Sequence, residues 1–272
     1  MCSQRSDKIM ERRRFEGNKI ANSGNYLLDL EKLSDVFAME VNENQNVDIN
    51  IANLKEGNDI TINVGDNVIC HVSCLCKKAL KSFKIAANVG QNSNISFYFA
   101  DFIQGKCKAN VIINLNKENA SCNWHLASLS RKGDKKEFEV SAYHNSVSTT
   151  SQLDNYGVVR EDGKLLFTGI CHIINGSHRS KAHQNAKIMV FDKFSDGIAK
   201  PVLKIDDNDI EASHAAVVGK INDEHIFYLT SRGLSEDEAK RIITLGYLKP
   251  ILKGFEDEEL KNEIEKIIEG NM

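Results

Sequence analysis

The chain has 272 residues, 41% hydrophobic and 27% charged, which suits an ordinary soluble protein with a full apolar core. Its formal net charge of −3 leaves no global field to draw in nucleic acid or an anionic membrane surface. No apolar stretch nears the roughly 20 residues of a membrane span. The N-terminal MCSQRSDKIMERRRFEG lacks the apolar core of a secretion signal, so the seven cysteines are expected as thiols in the cytoplasm.

Residues 1–22 read as an N-terminal arm, with Arg12-Arg13-Arg14 as a solvated basic cluster rather than a polyanion contact. From residue 23 to residue 219 the dominant signal is period-two alternation, the mark of half-buried strands. Val47, Ile49 and Ile51 alternate with Asp48 and Asn50, and Ile60, Ile62 and Val64 follow. Val68, Cys70, Val72 and Cys74 form the next train, then Ile95, Phe97 and Phe99, then Val111, Ile113 and Leu115. Cys122, Trp124 and Leu126 precede Phe138, Val140 and Ala142. Polar turns rich in Asn, Asp and Gly separate the trains, such as Gly65-Asp66-Asn67, because these residues tolerate positive φ. Only two prolines, Pro201 and Pro250, interrupt the chain, which suits long strand ladders. No exact repeat separates a solenoid from a sandwich or barrel, although the lack of long helices between strands argues against an alternating α/β fold.

Residues 220–272 read as a small helical domain. Residues 222–232 form a short predicted helix with Asn222 as N-cap and Gly233 past its end. Ser235 and Glu238 fit a capping box that opens a second helix through Ala239, Ile242, Ile243 and Leu245, with Gly246 as its expected stop. Leu260, Ile264, Ile267 and Ile268 make one apolar stripe on a charged third helix.

Residues 143–252 carry a family resemblance. In order they contain Thr168-Gly169, Gln184-Asn185, Asp192-Lys193, Pro201-x-Leu203-x-Ile205 before the acidic turn Asp206 to Asp209, and Ala212-Ser213-His214-x-Ala216-x-x-Gly219. Phe227-Tyr228-Leu229-x-Ser231-Arg232-Gly233 and Glu238-Ala239 before Gly246 complete the series. This stretch resembles the C-terminal half of the SufB/SufD family of iron–sulfur cluster assembly scaffolds. Upstream of Tyr143 the chain shows only compatible strand patterning. The resemblance implies a mainly β fold, a right-handed parallel β-helix with a small C-terminal α-helical domain.

The resemblance also implies a scaffold rather than an enzyme. Family members pair through their β-helices, so the expected partner is a SufB-type scaffold or a second copy of this chain. Their helical domains dock SufC, an ABC-type ATPase. The expected docking segment here is residues 234–252. The chain has no G-x-x-x-x-G-K-[ST] phosphate loop, so ATP hydrolysis would belong to that partner. The cluster would be transient and built at the subunit interface, with none held tightly by the isolated chain. SufB members carry a cysteine after the Asp-Lys pair and a glutamate after the equivalent of His214. Phe194 and Ala215 stand there instead, so the SufD branch is the nearer one.

His214 is the first candidate ligand, since a neutral imidazole suits ferrous iron; the competing reading is a structural histidine in an apolar strand. Cys171 is the second, as a sulfur or iron contact on a strand implied to face the pairing surface. Cys171 and His172 are adjacent and point to opposite faces, so they cannot share one ion; His178 and His183 lie nearby. Cys70, Cys74 and Cys76 share one face and read as a core stack or as soft-metal ligands. Cys122 reads as core, Cys107 as exposed among lysines, and Cys2 as part of the terminus. A carbohydrate-active enzyme on a β-helix is the distant alternative, resting on Asp206, Asp207 and Asp209, whose turn setting is explained by solvation.

Overall fold

The structure is a computed structural model that describes residues 13–15, 17–79 and 81–270. Its first eight strands are β1 (Arg13–Arg14), β2 (Lys19–Ile20), β3 (Gly24–Asp29), β4 (Val36–Val41), β5 (Asn46–Ala52), β6 (Asp59–Val64), β7 (Ile69–Leu75) and β8 (Phe83–Val89). Then come β9 (Asn94–Asp101), β10 (Lys106–Leu115), β11 (Ser121–Ser130), β12 (Lys135–His144) and β13 (Thr150–Val159). The last four are β14 (Lys164–Ile173), β15 (Ser180–Val190), β16 (Asp196–Ile205) and β17 (Ile210–Lys220). Odd-numbered strands form one sheet in numerical order, and even-numbered strands form a second. All registered pairs are parallel, so the chain winds as a two-faced β-solenoid, the β-helix implied by the resemblance. The strands β1 and β2 fall within the segment read as an arm, while Cys2 and Arg12 lie outside the described residues.

Alternation decides which way each side chain faces. In β14 the buried residues are Leu165, Phe167, Cys171 and Ile173, and the residues between them are turned out. The same rule corrects Cys107: it steps in phase with Ala109, Val111 and Ile113, and is buried although Lys106 and Lys108 flank it. The interior carries a ladder of aromatic rings. Phe83 and Phe99 stack at 5.3 Å, Phe99 and Trp124 at 5.9 Å, and Phe138 meets Phe167 at 6.0 Å. Each such side chain, fully buried, contributes on the order of 1.5–3 kcal/mol.

Asparagine builds one corner. Asn44, Asn67, Asn92 and Asn119 take φ of 61°, 56°, 52° and 58°, a left-handed conformation that asparagine tolerates. Their amides form a ladder in which Asn67 donates to Asn44, Asn92 to Asn67 and Asn119 to Asn92. The sequence separations of these bonds are 23, 25 and 27 residues, and later turns are bridged at 29 and 31. Each turn of the solenoid is therefore longer than the one before. A repeat whose period grows from coil to coil leaves no fixed spacing to detect in the sequence.

One ion pair lies inside the solenoid. Lys136 is in phase with Phe138 and Val140 and opposite Cys107, so it points inward. Its ammonium sits 3.0 Å from Asp101 and donates to the carbonyls of Ile103 and Leu129 at 2.7 Å each. All three donors are used, which is what makes a lysine 1% exposed tolerable.

Three helices follow: α1 (Asp223–Ser231), α2 (Glu236–Leu248) and α3 (Glu258–Gly270), with a 3₁₀ turn at Lys249–Gly254. Asn222 caps α1 and the Ser235/Glu238 capping box opens α2, as the sequence predicts. Gly246 does not stop α2, which runs on to Leu248. A glycine inside a helix costs only about 1 kcal/mol, less than Leu248 recovers by being buried, and Pro250 in the 3₁₀ turn ends the helix instead. Leu248, Ile251, Phe255, Ile264 and Ile268 pack on Leu75, Ala100, Ala127, Leu129 and Val158, on the outer face of the odd-numbered sheet. Gly254 is pressed onto the Tyr98 ring, where any Cβ would collide. Helix α1 buries nothing and leaves Phe227 and Tyr228 exposed.

Candidate functional site

The last coil is open. β16 pairs only with β14 and β17 only with β15, so each leaves one edge of backbone donors and acceptors free. His214 lies in β17 opposite Gln184, flanked by the pairs Ala182–Ala212 and Ala186–Ala216. Side chains opposite one another in register share a face, and Gln184 is buried in the solenoid. His214 therefore points along the solenoid interior, yet it is exposed because no further coil covers it. Pro201 fits its edge position. The N–H groups of Asp196 and Asp206 donate to Gly163 and Ile173 on the β14 side, so the N–H direction at odd positions faces the free edge, where a proline loses no ladder bond.

One coil deeper, Cys171 faces inward and is fully buried, as expected. Burial pushes its thiol up to about 11, while hydrogen bonds with Ser151 and Gln184 pull the other way. Its Sγ is 3.6 Å from the Ser151 hydroxyl. Gln184 also donates to the Val202 carbonyl at 2.9 Å, which fixes its orientation. Gly169 makes room for it, since a Cβ there would stand 2.5 Å from Oε1 of Gln184. Gln184 thus joins the two candidates, as hydrogen-bond partner of Cys171 and register partner of His214.

Behind Cys171 the interior turns polar. His144 is held by Thr149 and Ser151 at 2.8 Å each, and Thr149 meets Ser180 at 2.8 Å. Burial lowers the His144 pKa to about 4, so the ring is neutral at physiological pH. Trp124 donates to Asn155 at 3.0 Å in the same interior. Gln184, His144, Lys136 and Asp101 were not singled out by the sequence reading. Parity alone would have flagged Lys136, because the train of Phe138, Val140 and Ala142 extends back to it by one even step.

The remaining candidates separate. His172 faces out, 2.8 Å from Asp206, while His178 lies 3.0 Å from Asp207 and His183 2.8 Å from the Ser213 hydroxyl. These contacts tie the last coil to the one before it. The turn acids are not all merely solvated. Asp207 is buried, and the backbone N–H groups of Asp209 and Gly176, with His178, hold its carboxyl below the usual range. Cys70, Cys74, Cys76 and Cys122 all lie in the buried core. Burial pushes Cys70 up to about 12 and raises Cys76 and Cys122. Among the described residues, no three His, Cys, Asp or Glu side chains are arranged to hold a metal ion. Phe194 stands 71% exposed on the turn before β16, whose backbone is held by the Asp192 carboxylate.

A two-sheet parallel solenoid, open at its last coil and covered on one face by C-terminal helices, defines the architectural class. The sequence pattern described as "SUF system FeS cluster assembly, SufBD core domain" matches residues 20–247, and the chain belongs to that family. It is 30% identical over 139 residues to the iron-sulfur cluster assembly protein SufD of Bacillus subtilis, covering 51% of this chain and 32% of that protein. It is 24% identical over 221 residues to SufD of Escherichia coli, covering 80% of this chain and 52% of the relative. SufB of Bacillus subtilis matches at 28% over 125 residues, 46% of this chain and 27% of the relative. The chain thus spans about half or less of the length of these relatives. Among the described residues, no helix is long and apolar enough to cross a membrane.

Proposed function

We propose that this chain is a cytoplasmic, non-enzymatic scaffold subunit for iron–sulfur cluster assembly. It pairs through the open coil of its solenoid with a SufB-type scaffold, and an iron–sulfur cluster, as cargo, forms transiently beside His214. The observation that carries this reading is the exposed His214 on a terminal strand with a free backbone edge. A neutral imidazole there offers iron a ligand without a buried charge. The partner would have to supply the thiolates, because Cys171 is fully buried and its thiol holds its proton to about pH 11.

An ABC-type ATPase of the SufC kind docks on the helices in this proposal. Within residues 234–252, Ala239, Leu248 and Ile251 are spent on the solenoid, leaving Ile242 exposed. Helix α1 adds Phe227 and Tyr228 at 73% and 58% exposure, and acidic first turns on both helices favour a partner groove with a basic rim. Exposed aromatics of this kind are the usual anchors of an interface.

The test is co-expression with candidate SufC and SufB proteins, anaerobic purification, and measurement of complex mass, iron and sulfide. A complex containing SufB and SufC, whose cluster yield falls in His214→Ala while its mass is unchanged, is the expected result. Undiminished yield in that variant would remove His214 from the site. A complex of two copies with SufC alone would instead assign self-pairing.

A further inference from the structure

We propose that the cleft between the outer face of the odd-numbered sheet and α2 binds a planar heteroaromatic ring that presents hydrogen-bond acceptors, a property independent of the scaffold role. The cleft encloses about 230 Å³. Its floor is one row of the sheet, Tyr98 on β9, His125 on β11 and Asp154 on β13, which stand opposite one another in register. Tyr247 and Pro250 form the roof, and Tyr156 closes one wall by meeting Tyr247 edge to face at 5.9 Å.

The shape selects a flat ligand. Three tyrosines and an imidazole present faces and edges to a narrow space, and aromatic side chains favour offset or edge-on contact with another ring. The floor is already assembled, with Tyr98 stacked on His125 at 4.7 Å and an interplanar angle of 20°. Gly254, seated on the far part of the Tyr98 ring, prevents that ring from swinging away.

Charge and hydrogen bonding select what the ring carries. The Tyr98 and Tyr247 hydroxyls make no hydrogen bond among the described residues. Burial raises both phenols, Tyr247 to about 12, so both remain donors. Lys253 adds an ammonium at the rim with no carboxylate partner among the described residues. The one acid, Asp154, is engaged by His125 at 3.3 Å and by the Gln152 amide at 2.9 Å. Donors therefore outnumber acceptors. A cationic ligand, which an aromatic cage would otherwise suit, is disfavoured, and a neutral or anionic ring with carbonyl or ring-nitrogen acceptors fits.

The experiment uses the full chain and a set of small probes: hypoxanthine, lumazine and lumichrome as planar rings, cyclohexanediol and glucose as saturated controls. Saturation-transfer NMR and calorimetry report binding. The planar probes should bind and the saturated ones should not. Tyr98→Phe with Tyr247→Phe should weaken binding about three- to tenfold per hydroxyl, with an unchanged unfolding midpoint because neither hydroxyl bonds the protein. Lys253→Ala, on the surface, should weaken anionic lumazine more than neutral hypoxanthine. No binding of any planar probe at millimolar concentration overturns the proposal. So does binding that these variants leave untouched.

Discussion

Replacing Lys136 by methionine keeps the length of the side chain and removes only its charge and donors. The structure fixes what is left behind. Asp101, 4% exposed, would retain a Ser128 hydroxyl at 3.4 Å, and the carbonyls of Ile103 and Leu129 would each lose a 2.7 Å donor. Breaking a buried ion pair from one side costs about 3–5 kcal/mol, a large part of the roughly 5–15 kcal/mol that holds a typical domain together. Adding Asp101→Asn removes the stranded charge and leaves mainly the neutral carbonyls, at about 1–3 kcal/mol. The double variant should therefore be more stable than Lys136→Met by about 2 kcal/mol. Urea unfolding followed by circular dichroism measures both, and labelling of the adjacent Cys107 thiol reports local opening. A single variant within 1 kcal/mol of the parent, on the scale of an exposed pair, would refute the inward ion pair. A double variant less stable than the single would do the same.

Three further outcomes follow from the same geometry. The folded-state pKa of His144, about 4, is below the 6.5 of the free side chain, so the unfolded chain binds the extra proton. Its contribution is complete above pH 6.5 and is lost as pH falls from 6.5 to 4, about 1.4 kcal/mol per unit and roughly 3 kcal/mol in all. His144→Gln should flatten this acid limb in urea titrations at several pH values, and an unchanged slope would place the ring in water. Gly254→Ala should push the 3₁₀ turn off Tyr98 at a cost of about 1–3 kcal/mol and speed tryptic cleavage at Lys249 and Lys253; parent-like cleavage would show that the helices are not seated there. The six described cysteines are buried, so Ellman's reagent at pH 8 should reach them only after urea is added, and rapid native reaction by Cys171 would contradict its place inside the coil.

Much of this protein was legible before any coordinates. Alternation placed Cys171 inside and His172 outside, and capping chemistry opened α1 and α2 where Asn222 and Ser235 stand. Both are local signals, settled within a few residues by pleat and by unsatisfied N–H groups. The same parity, pursued past the lysines around it, would have turned Cys107 inward.

What the tertiary structure decided depends on residues a full coil apart. Each turn of the solenoid takes more residues than the last, so no fixed spacing pairs Gln184 with His214, or Asp101 with Lys136. Gly246 continues its helix because Leu248 beyond it has a sheet to pack against. His214 is an inward-facing residue by pattern and an exposed one by position. Its strand is the last of its sheet, and exposure depends on what lies above a residue rather than on its neighbours in the chain.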